Sequence, residues 1–591
     1  MTDRWDLAQI YPDTAAWKAD LGHADAQLKD LARCKGHLAD GAARLRQCFN
    51  LYADVAQRFA RLQTYASLLR DEDTRVPAHL ELAQQVELLG VRFSESSSFV
   101  QPEVLALGRK RLDAWLKAEP GLAQYRHPLE DIVRQAPHIL DARGEDLLAK
   151  ASLAAGTPDA VYGVLTGADI AWPRLTLEGT EVTLDQAAYT RYRAAQDRAE
   201  RKQVFDAFWS KWKEYERTLG VTLYGQVKAD IAGARVRNHG SARAAALDAN
   251  AIPESVYDTL VTQAHANLPT LHRYLKLRGR LLGLSDLRYY DMYPSIVKAD
   301  LRFPVADARR LTLEALQPLG PEYVGAMEQA FGARWMDVYP HPGKRSGAYM
   351  NPGAYAVHPY LLLNYNDDYE SVTTLAHEWG HAMHSHLASR AQPFLTANYS
   401  IFTAEIASTV NEALLMEHML KHARDDHERL YYLGLALEGL RLTYFRQTMF
   451  AEFERNIHAA VERGDTLTGE SLTQSYCELL KQYHGDAEGV LKIDEPYCVE
   501  WAYIPHFYGN FYVYQYATSV AAASLFAQRI LSGQPGASEQ YLDLLRAGGS
   551  DYPYDLLKRA GIDMATAAPH QALFARMNRI MDEIEAILGK K

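Results

Sequence analysis

The sequence predicts a mainly α-helical protein with a small β-sheet. Apolar residues recur at steps of three or four through the first half of the chain, which is typical of amphipathic helices in a bundle. Two examples are Trp17, Leu21, Ala24, Leu28 and Leu31, and Leu51, Val55, Phe59 and Leu62. Two short segments, beginning near residues 174 and 359, show strand-like patterns instead. Helices are therefore expected to form most of the core.

The first strand-like segment follows Pro173. Residues 174–184 alternate between apolar and polar side chains around Gly179, a pattern that predicts a short β-hairpin. Helical spacing then resumes, and we place a domain boundary near residue 195. The predicted division is an N-terminal helical lobe, residues 1–195, and a larger domain, residues 196–591, that carries the chemistry described below.

An irregular segment, a strand and a long helix follow one another in the second half. Prolines and glycines between Tyr339 and Tyr355 exclude a continuous helix and predict a loop. The apolar run at residues 359–366 predicts a strand, and turn-forming residues end it. Helical apolar spacing then begins near Ser371, and we expect this helix to carry functional residues.

Composition excludes several functional classes. With 48% hydrophobic and 23% charged residues, the 591-residue chain has the composition of a globular protein. Its 63 basic and 74 acidic residues give a net charge of −11, which disfavours binding to nucleic acid or to an anionic membrane. No apolar run reaches the roughly 20 residues that span a bilayer, and the first residues do not resemble a signal peptide. We therefore expect a cytoplasmic protein.

Sulfur chemistry is not expected. The cysteines are Cys34, Cys48, Cys477 and Cys498, and none lies in a CxxC pair or another zinc-binding spacing. We expect each to be a buried free thiol, since a free cysteine packs like a small apolar residue.

The helix near Ser371 contains HEWGH, which fits the zinc-binding pattern HExxH. His377 and His381 are four residues apart, so both imidazoles lie on one face of the helix and can bind one Zn²⁺ at about 2.0–2.1 Å. Glu378 lies beside them and remains available for proton transfer. The alternative is that both histidines are structural core residues, and a third ligand would argue against that alternative.

A third ligand is expected from a second helix. The metzincin pattern requires glycine and histidine at positions that His384 and Leu387 occupy here, so that class is excluded. The helical segment from residue 403 carries Glu405 and Glu412, which are seven residues apart and nearly cofacial. We predict that Glu405 is the ligand. Glu412 either hydrogen-bonds a ligating histidine or is a solvated surface carboxylate.

Two further histidines, His384 and His386, lie close to the motif. A catalytic zinc ion keeps one position open for water or substrate. We therefore interpret both residues as packing residues or as partners of the ligands, and we predict no fourth protein ligand.

A cluster of aromatic residues near the C-terminus, which also contains His506, forms a second candidate group. If the chain is helical there, Tyr508, Tyr512 and Tyr516 form a stripe on one face, while Tyr514 points elsewhere. The stripe alone would indicate core packing. Together with a zinc motif, it indicates donors for the oxyanion of peptide hydrolysis, because neutral tyrosine and histidine can supply such hydrogen bonds.

These segments together resemble the thimet oligopeptidase-like zinc peptidases, and within them the oligoendopeptidase F branch. The resemblance extends over nearly the whole chain and is carried by WDLAQIYP, GKRSGAY, PYLLLNY, TLAHEWGHAMH, FTAEIASTVNE, IPHFYGNFYVYQYAT and GGSDYPYDLLKRAGIDM. It implies a mainly α, two-lobed zincin-like fold with a small β-sheet beside the active-site helix and a deep central channel. It also implies hydrolysis of short peptides rather than of folded proteins.

The resemblance implies one zinc ion per chain and a role for each residue of the motif. The implied metal ligands are His377, His381 and Glu405, and the implied general base is Glu378. In the predicted reaction, a water molecule activated by zinc attacks the scissile carbonyl while Glu378 accepts its proton.

The resemblance also implies oxyanion and substrate contacts. His506 and Tyr516 resemble the residues that stabilise the oxyanion, although Tyr512 or Tyr514 could take the place of Tyr516. The loop Gly343–Tyr349 resembles a substrate-contacting element, and its composition equally fits an inert turn. We further expect an extended peptide to pair with an exposed edge of the strand at residues 361–363.

The sequence thus predicts a zinc metalloendopeptidase whose partners are short peptides, and not nucleic acid or membranes. Its oligomeric state is not predicted. A dipeptidyl carboxypeptidase is one alternative, which would need a cation such as Arg345 to bind the terminal carboxylate. A helical peptide-binding or scaffold protein, in which HEWGH is only structural, is the other.

Overall fold

The computed structural model describes residues 3–152, 155–299 and 301–589. Helices dominate these residues, which confirms the predicted mainly α class. None of the described helices is both long enough and apolar enough to cross a lipid bilayer. The helices of the first half are α1 (Thr14–Ala32), α2 (Ala42–Glu72), α3 (Pro77–Ser97), α4 (Val100–Ala118), α5 (Arg126–Arg134), α6 (Ala142–Ser152), α7 (Thr157–Val164), α8 (Gln186–Tyr192), α9 (Arg198–Glu214), α10 (Glu216–Val236), α11 (Ala242–Asp248), α12 (Glu254–Ala266) and α13 (Leu268–Leu281). The helices of the second half are α14 (Val305–Ala315), α15 (Pro321–Gly332), α16 (Tyr369–Ala391), α17 (Phe394–Ala397), α18 (Ile401–His422), α19 (Asp426–Leu440), α20 (Gln447–Glu462), α21 (Gly469–His484), α22 (Tyr514–Leu531), α23 (Ala537–Ala547), α24 (Pro553–Arg559) and α25 (Ala568–Leu588).

The first sheet is a hairpin of β1 (Arg174–Leu177) and β2 (Thr180–Thr183), which pair antiparallel. Glu178 and Gly179 form its two-residue turn and have positive φ values of 50° and 76°. Such a turn follows the natural twist of the flanking strands. The predicted hairpin is confirmed.

The second sheet consists of β3 (Met336–Asp337), β4 (Tyr349–Asn351) and β5 (Tyr360–Leu362). Its order is β3-β5-β4, with β5 parallel to β3 and antiparallel to β4. Both edges of β5 are therefore paired, and the expectation that substrate pairs with residues 361–363 at an exposed edge is wrong. β4 lies inside the segment from Tyr339 to Tyr355 that was predicted as loop. The three residues Tyr349–Asn351, between Gly347 and Pro352, are enough to form a short strand.

The chain forms two compact units, each assembled from three segments. Unit 1 comprises Met1–Pro137, Leu301–His418 and Phe526–Gly561, and unit 2 comprises His138–Asp300, Met419–Leu525 and Ile562–Lys591. Residue 195 lies inside the first segment of unit 2. The predicted division into residues 1–195 and 196–591 stays a prediction, as does the channel that the resemblance implies.

A core in unit 1 joins the N-terminal residues to the three-stranded sheet. Trp5, Ile10 and Trp17 are at most 3% exposed and belong to the same buried cluster as Tyr360 and Leu362 of β5. The rings of Trp5 and Tyr360 meet edge to face, with centroids 6.4 Å apart. Burial of these large side chains stabilises β5 in its place between two neighbouring strands.

Helix α16 begins shortly after β5. Asp368 caps its N-terminus, since the Asp368 carboxylate accepts a hydrogen bond from Ser371 N at 2.7 Å. The helix therefore begins at Tyr369, two residues before the predicted start. β5 and the helix cap at Asp368 together set the position of the HEWGH segment.

All four cysteines form disulfides in the structure. Cys34 pairs with Cys48 and Cys477 with Cys498, with Sγ–Sγ distances of 2.09 Å and 2.02 Å. The expectation of buried free thiols is therefore wrong. The partners are 14 and 21 residues apart in sequence, and such separations do not by themselves indicate a pairing.

Candidate metal centre

Helices α16 and α18 cross in unit 1 at a glycine. A Cβ atom on Gly380 would lie 2.6 Å from Ala407 O and 2.6 Å from Ser408 Cα. Both atoms belong to the backbone of α18, so neither can rotate away. Glycine at position 380 therefore allows the two helices to approach closely enough for their side chains to share one site.

Three ligand atoms converge at this crossing. Glu405 Oε2 lies 3.4 Å from the Nε2 atoms of both His377 and His381, and the two Nε2 atoms are 3.2 Å apart. Ligands held at about 2.0–2.1 Å in a tetrahedron are about 3.3 Å from one another. The triangle therefore fits three corners of a zinc coordination sphere and leaves the fourth corner for water or substrate.

The charges around the triangle favour a cation. Burial disfavours the charged form of His377, but Glu412 and the other carboxylates outweigh burial and raise its pKa to about 9. Burial also disfavours ionised Glu405, yet His381 and His377 outweigh it and lower the pKa of Glu405 to about 2. Three carboxylates thus surround two imidazoles, and a divalent cation would balance their charge.

Glu412 orients one of the histidines. Its Oε1 lies 2.5 Å from His377 Nδ1. Nδ1 donates to this carboxylate oxygen, so Nε2 is the nitrogen left for a metal, which would displace the proton that Nε2 carries in the charged imidazole. Of the two interpretations of Glu412 left open by the sequence, the structure selects the hydrogen bond to a candidate ligand.

Replacing Glu412 should weaken metal binding without removing a ligand. We expect E412A to lower zinc affinity about 10–100-fold, because His377 loses its orientation and its tautomer is no longer fixed. Chelator competition measures this affinity. K421A, an exposed change on the same helix, is the control. Wild-type affinity in E412A would contradict the role of Glu412.

Two residues that support the triangle were not found from the sequence. Ser408 Oγ lies 3.0 Å from Glu405 Oε2 and can donate a hydrogen bond to it. Asn411, fully buried, donates from Nδ2 to Ala376 O at 3.1 Å and accepts from Tyr323 OH at 3.1 Å. Ser408 could have been found, since it lies one turn after Glu405. The partners of Asn411 depend on the helix crossing and leave no local signal.

The two additional histidines are packing residues, as predicted. His384 is 1% exposed and stacks on Tyr399 at 3.5 Å, and its burial lowers its pKa. The Tyr399 hydroxyl lies 2.7 Å from Ser385 Oγ. The ring of His386 packs against Trp335 at 5.4 Å. Neither histidine joins the triangle.

A second group of possible ligands, in unit 2, has a different geometry. Ligand atoms of His138, His239 and Asp248 all lie within 4.8 Å of one another. The two imidazoles, however, are stacked face to face, with centroids 3.7 Å apart and planes 9° from parallel. A metal lies in the plane of each imidazole that binds it, so these rings as stacked cannot share an ion. The triangle on α16 and α18 is the better candidate among the described residues.

The predicted oxyanion residues form a cluster in unit 2. The hydroxyls of Tyr512 and Tyr516 are 3.3 Å apart, and the His506 ring lies 6.3 Å and 6.0 Å from their rings. Burial lowers the pKa of His506, which favours the neutral imidazole. Tyr514 is 3% exposed and packs against Tyr257, with ring centroids 5.1 Å apart. The structure thus groups Tyr512 and Tyr516 with His506, and not Tyr514.

The predicted stripe of three tyrosines is wrong. α22 begins only at Tyr514, because Asn510 and Phe511 have positive φ values of 42° and 60° that interrupt any helix before it. Tyr508 precedes this interruption. Its hydroxyl lies 2.8 Å from Thr222 Oγ1, and it takes no part in the cluster.

The loop at residues 343–349 is anchored by buried acids. Arg345 Nη1 lies 3.1 Å from Asp71 Oδ2, and Tyr349 OH donates to the same oxygen at 2.9 Å. Asp71 is 3% exposed. Lys344, whose side chain is 1% exposed, forms an ion pair with buried Asp337. These contacts fix the loop, and its role in substrate binding stays a prediction.

Comparison with known proteins agrees with these observations. Residues 191–576 match peptidase family M3, and residues 103–171 match the oligopeptidase F model of its N-terminal part. The chain is 40% identical to oligopeptidase PepF of Bacillus subtilis, covering 100% of this chain and 88% of that protein. It is 38% identical to group B oligopeptidase PepB of Streptococcus agalactiae, covering 99% and 97%. The crystal structure of oligoendopeptidase-F from Enterococcus faecium superimposes with a TM-score of 0.76 at 34% identity, covering 97% and 99%. The resemblance inferred from the motifs is confirmed, and the chain belongs to peptidase family M3.

Proposed function

We propose that this protein is a zinc-dependent endopeptidase that hydrolyses short oligopeptides with Glu378 as its general base. Membership of the family establishes the coarser part, a metalloendopeptidase that acts on oligopeptides. The observation that carries the finer part is the triangle of ligand atoms from His377, His381 and Glu405, with sides of 3.2 Å, 3.4 Å and 3.4 Å. Its size suits one zinc ion per chain.

Glu378 is proposed to move the proton. A zinc ion held by the triangle would supply a Lewis acid for a water molecule and for the scissile carbonyl. Glu378 accepts a proton from the attacking water and returns it to the departing amine. Because water rather than a side chain is the nucleophile, no acyl-enzyme forms. Glu378 is 7% exposed, and burial raises its pKa. A raised pKa helps the carboxyl group to hold the proton between the two transfers.

The cluster of His506, Tyr512 and Tyr516 is proposed to donate hydrogen bonds to the oxyanion of the tetrahedral intermediate. Each side chain can donate a hydrogen bond, from a hydroxyl or from a ring N–H, and the three rings lie together in unit 2. Neutral donors stabilise developing negative charge without opposing the charge of the metal.

Removing one of these hydroxyls should slow the reaction without abolishing it. We expect Y516F and Y512F each to lower kcat about 100-fold, with zinc content unchanged, because one oxyanion donor is lost. The hydrolysis rate of a quenched fluorescent peptide measures the effect. Y508F is the matched control, since the Tyr508 hydroxyl contacts Thr222 instead. If both Y512F and Y516F retain the wild-type kcat, the tyrosines have been assigned wrongly.

The substrate backbone is proposed to pair with β4. β5 has no free edge, and the outer side of β3 is partly occupied because Val338 N donates to Asp3 O at 2.9 Å. A cavity of about 290 Å³ lies nearby, lined among others by Gly347 of the anchored loop and Thr374. Thr374 lies one turn before His377 on α16. A substrate complex whose peptide lies away from β4 would contradict this part of the proposal.

Capture of a substrate carboxylate by Arg345 is not favoured. Its guanidinium is already paired with Asp71, and its backbone N–H donates to Asp71 O at 2.9 Å. We therefore favour endopeptidase over exopeptidase cleavage. An amidated peptide and its free acid should be cleaved equally well, whereas a strong preference for the free acid would support the exopeptidase.

A mixed peptide library tests the function directly. Mass spectrometry of the library after digestion by metal-replete and by chelated protein reports activity, metal dependence and cleavage position together. We expect internal cleavage of short peptides that stops on chelation and resumes when zinc is restored. Binding without hydrolysis in either state would instead support a scaffold protein.

The cytoplasmic location is also part of the proposal. Disulfides are uncommon in reducing compartments, so the two pairs Cys34–Cys48 and Cys477–Cys498 count against it. Rapid alkylation of free thiols during cell lysis, followed by mass spectrometry, tests the location. Four alkylated cysteines are expected if the protein resides in the cytoplasm, and none would contradict it.

A further inference from the structure

A buried carboxyl group touches the turn that precedes Tyr512. Glu454 on α20 is 0% exposed, and its Oε1 accepts a hydrogen bond from Phe511 N at 2.6 Å. Its Oε2 is buried and has no hydrogen-bonding partner among the described residues. Burying a carboxyl group is unfavourable unless it makes hydrogen bonds. The contact with Phe511 N therefore accounts for a buried hydrogen-bond acceptor at this position.

The turn that Glu454 contacts has an unfavourable backbone conformation. Asn510 and Phe511 have φ values of 42° and 60°, in the left-handed region, which asparagine tolerates better than most residues and a bulky residue such as phenylalanine avoids. Two such residues in succession persist only where the surrounding structure holds them. Tyr512 follows immediately, so the direction of its side chain depends on this conformation.

The remaining contacts of the turn are with neighbouring helices of unit 2. The Phe511 ring is 2% exposed and packs on Tyr257 at 5.9 Å and on His458 at 4.6 Å. His458 Nδ1 donates to Glu454 O at 2.9 Å, and its Nε2 lies 3.3 Å from Asp230 Oδ2. Burial raises the pKa of Glu454 to about 7, and Oε1 can accept from Phe511 N in either protonation state. Ring packing holds the side chain of Phe511, whereas Glu454 holds its backbone by accepting the hydrogen bond from Phe511 N.

We infer that Glu454 is a positioning residue, which holds the Asn510–Phe511 turn in its left-handed form and thereby directs Tyr512. The inference rests on the proposed function, because it assumes that Tyr512 serves the oxyanion. Glu454 is not proposed to contact substrate. It acts only through the backbone that it fixes.

The test compares variants that keep or remove the acceptor. E454Q retains an acceptor oxygen at nearly the same place, and we expect kcat close to wild type. E454L removes the acceptor at similar volume, and we expect kcat to fall about 100-fold with KM and zinc content little changed, as for a misplaced catalytic group. Wild-type kcat in E454L would overturn the inference.

A glycine provides the specific control. Because glycine adopts positive φ readily, N510G should restore much of the activity that E454L loses. If Glu454 only stabilised the fold, N510G would not restore the activity of E454L. If E454L/N510G is as slow as E454L while N510G alone is active, the inference is wrong.

A double-mutant cycle separates this inference from the proposed function. If Glu454 acts through Tyr512, the kcat of E454L/Y512F should be no lower than that of the slower single variant. A kcat lowered by the product of the two single effects would overturn the inference. Wild-type kcat in Y512F would instead refute the role of Tyr512. The crystal structure of E454L, or of E454A if E454L does not fold, gives a readout independent of activity. Negative φ values at residues 510 and 511 are expected, and an unchanged turn would overturn the inference.

Discussion

E378Q should be nearly inactive while still binding zinc. Glutamine has almost the shape of glutamate but cannot accept the proton of the attacking water, so water activation and proton return are both lost. We expect kcat to fall at least about 10³-fold, within the range known for loss of a general base. Glu378 is not part of the ligand triangle, and the metal content should therefore stay at that of the wild type.

Two measurements make this result interpretable. Peptide hydrolysis gives kcat, and metal analysis of the dialysed protein gives the zinc content of the same sample. H377A is the reference for a variant that loses the metal itself. Hydrolysis by E378Q at the wild-type rate would refute the general base, whereas inactivity with loss of zinc would assign Glu378 a part in metal binding.

G380A should disrupt the metal centre although it adds only one methyl group. The new Cβ would lie 2.6 Å from backbone atoms of Ala407 and Ser408, while ordinary contacts begin at 3.4 Å. Helices α16 and α18 would have to separate by about 0.8 Å, the difference between these distances. Overpacking of this kind costs about 1–3 kcal/mol of stability. A shift of about 1 Å between the ligand helices should lower kcat/KM about 100-fold.

The control for this substitution lies in another helix of the same unit. Gly325 is on α15, and a Cβ there would meet no atom within 4 Å. G325A should leave activity unchanged and raise stability by up to about 1 kcal/mol, because alanine favours helix more than glycine does. Thermal unfolding and zinc titration of both variants test the difference. If G380A and G325A have the same stability, zinc affinity and activity, α16 and α18 do not meet at Gly380 as described.

The mainly α fold and the grouping of the candidate metal ligands were predictable because their signals are local. A spacing of four residues determines that His377 and His381 share a face, whatever surrounds the helix. Glu405 followed from the need for a third ligand and from helical periodicity in the next segment. The hairpin at β1 and β2 was equally local, since its turn residues are adjacent in sequence.

Features that depend on tertiary contacts were not predictable in the same way. The tyrosine stripe required a helix from residue 509 onward, but the contact of Glu454 with Phe511 N stabilises a conformation that interrupts it. β5 reads as a strand whether it is central or at an edge, so its pairing on both sides could not be inferred. The need for glycine at position 380 follows from a contact with Ala407, which is 27 residues further along the chain, and nothing within the motif itself indicates it.

The contribution of the N-terminal segment to unit 1 limits how far the enzyme can be shortened. Trp5, Ile10 and Trp17 share a buried cluster with the strand that precedes the HEWGH helix, and Asp71 anchors Arg345 and Tyr349. A protein truncated at residue 196 would lose all of these partners. It would expose the apolar face of β5 to water and release the loop at residues 343–349. Engineering a minimal peptidase should therefore preserve the N-terminal residues and remove surface loops instead.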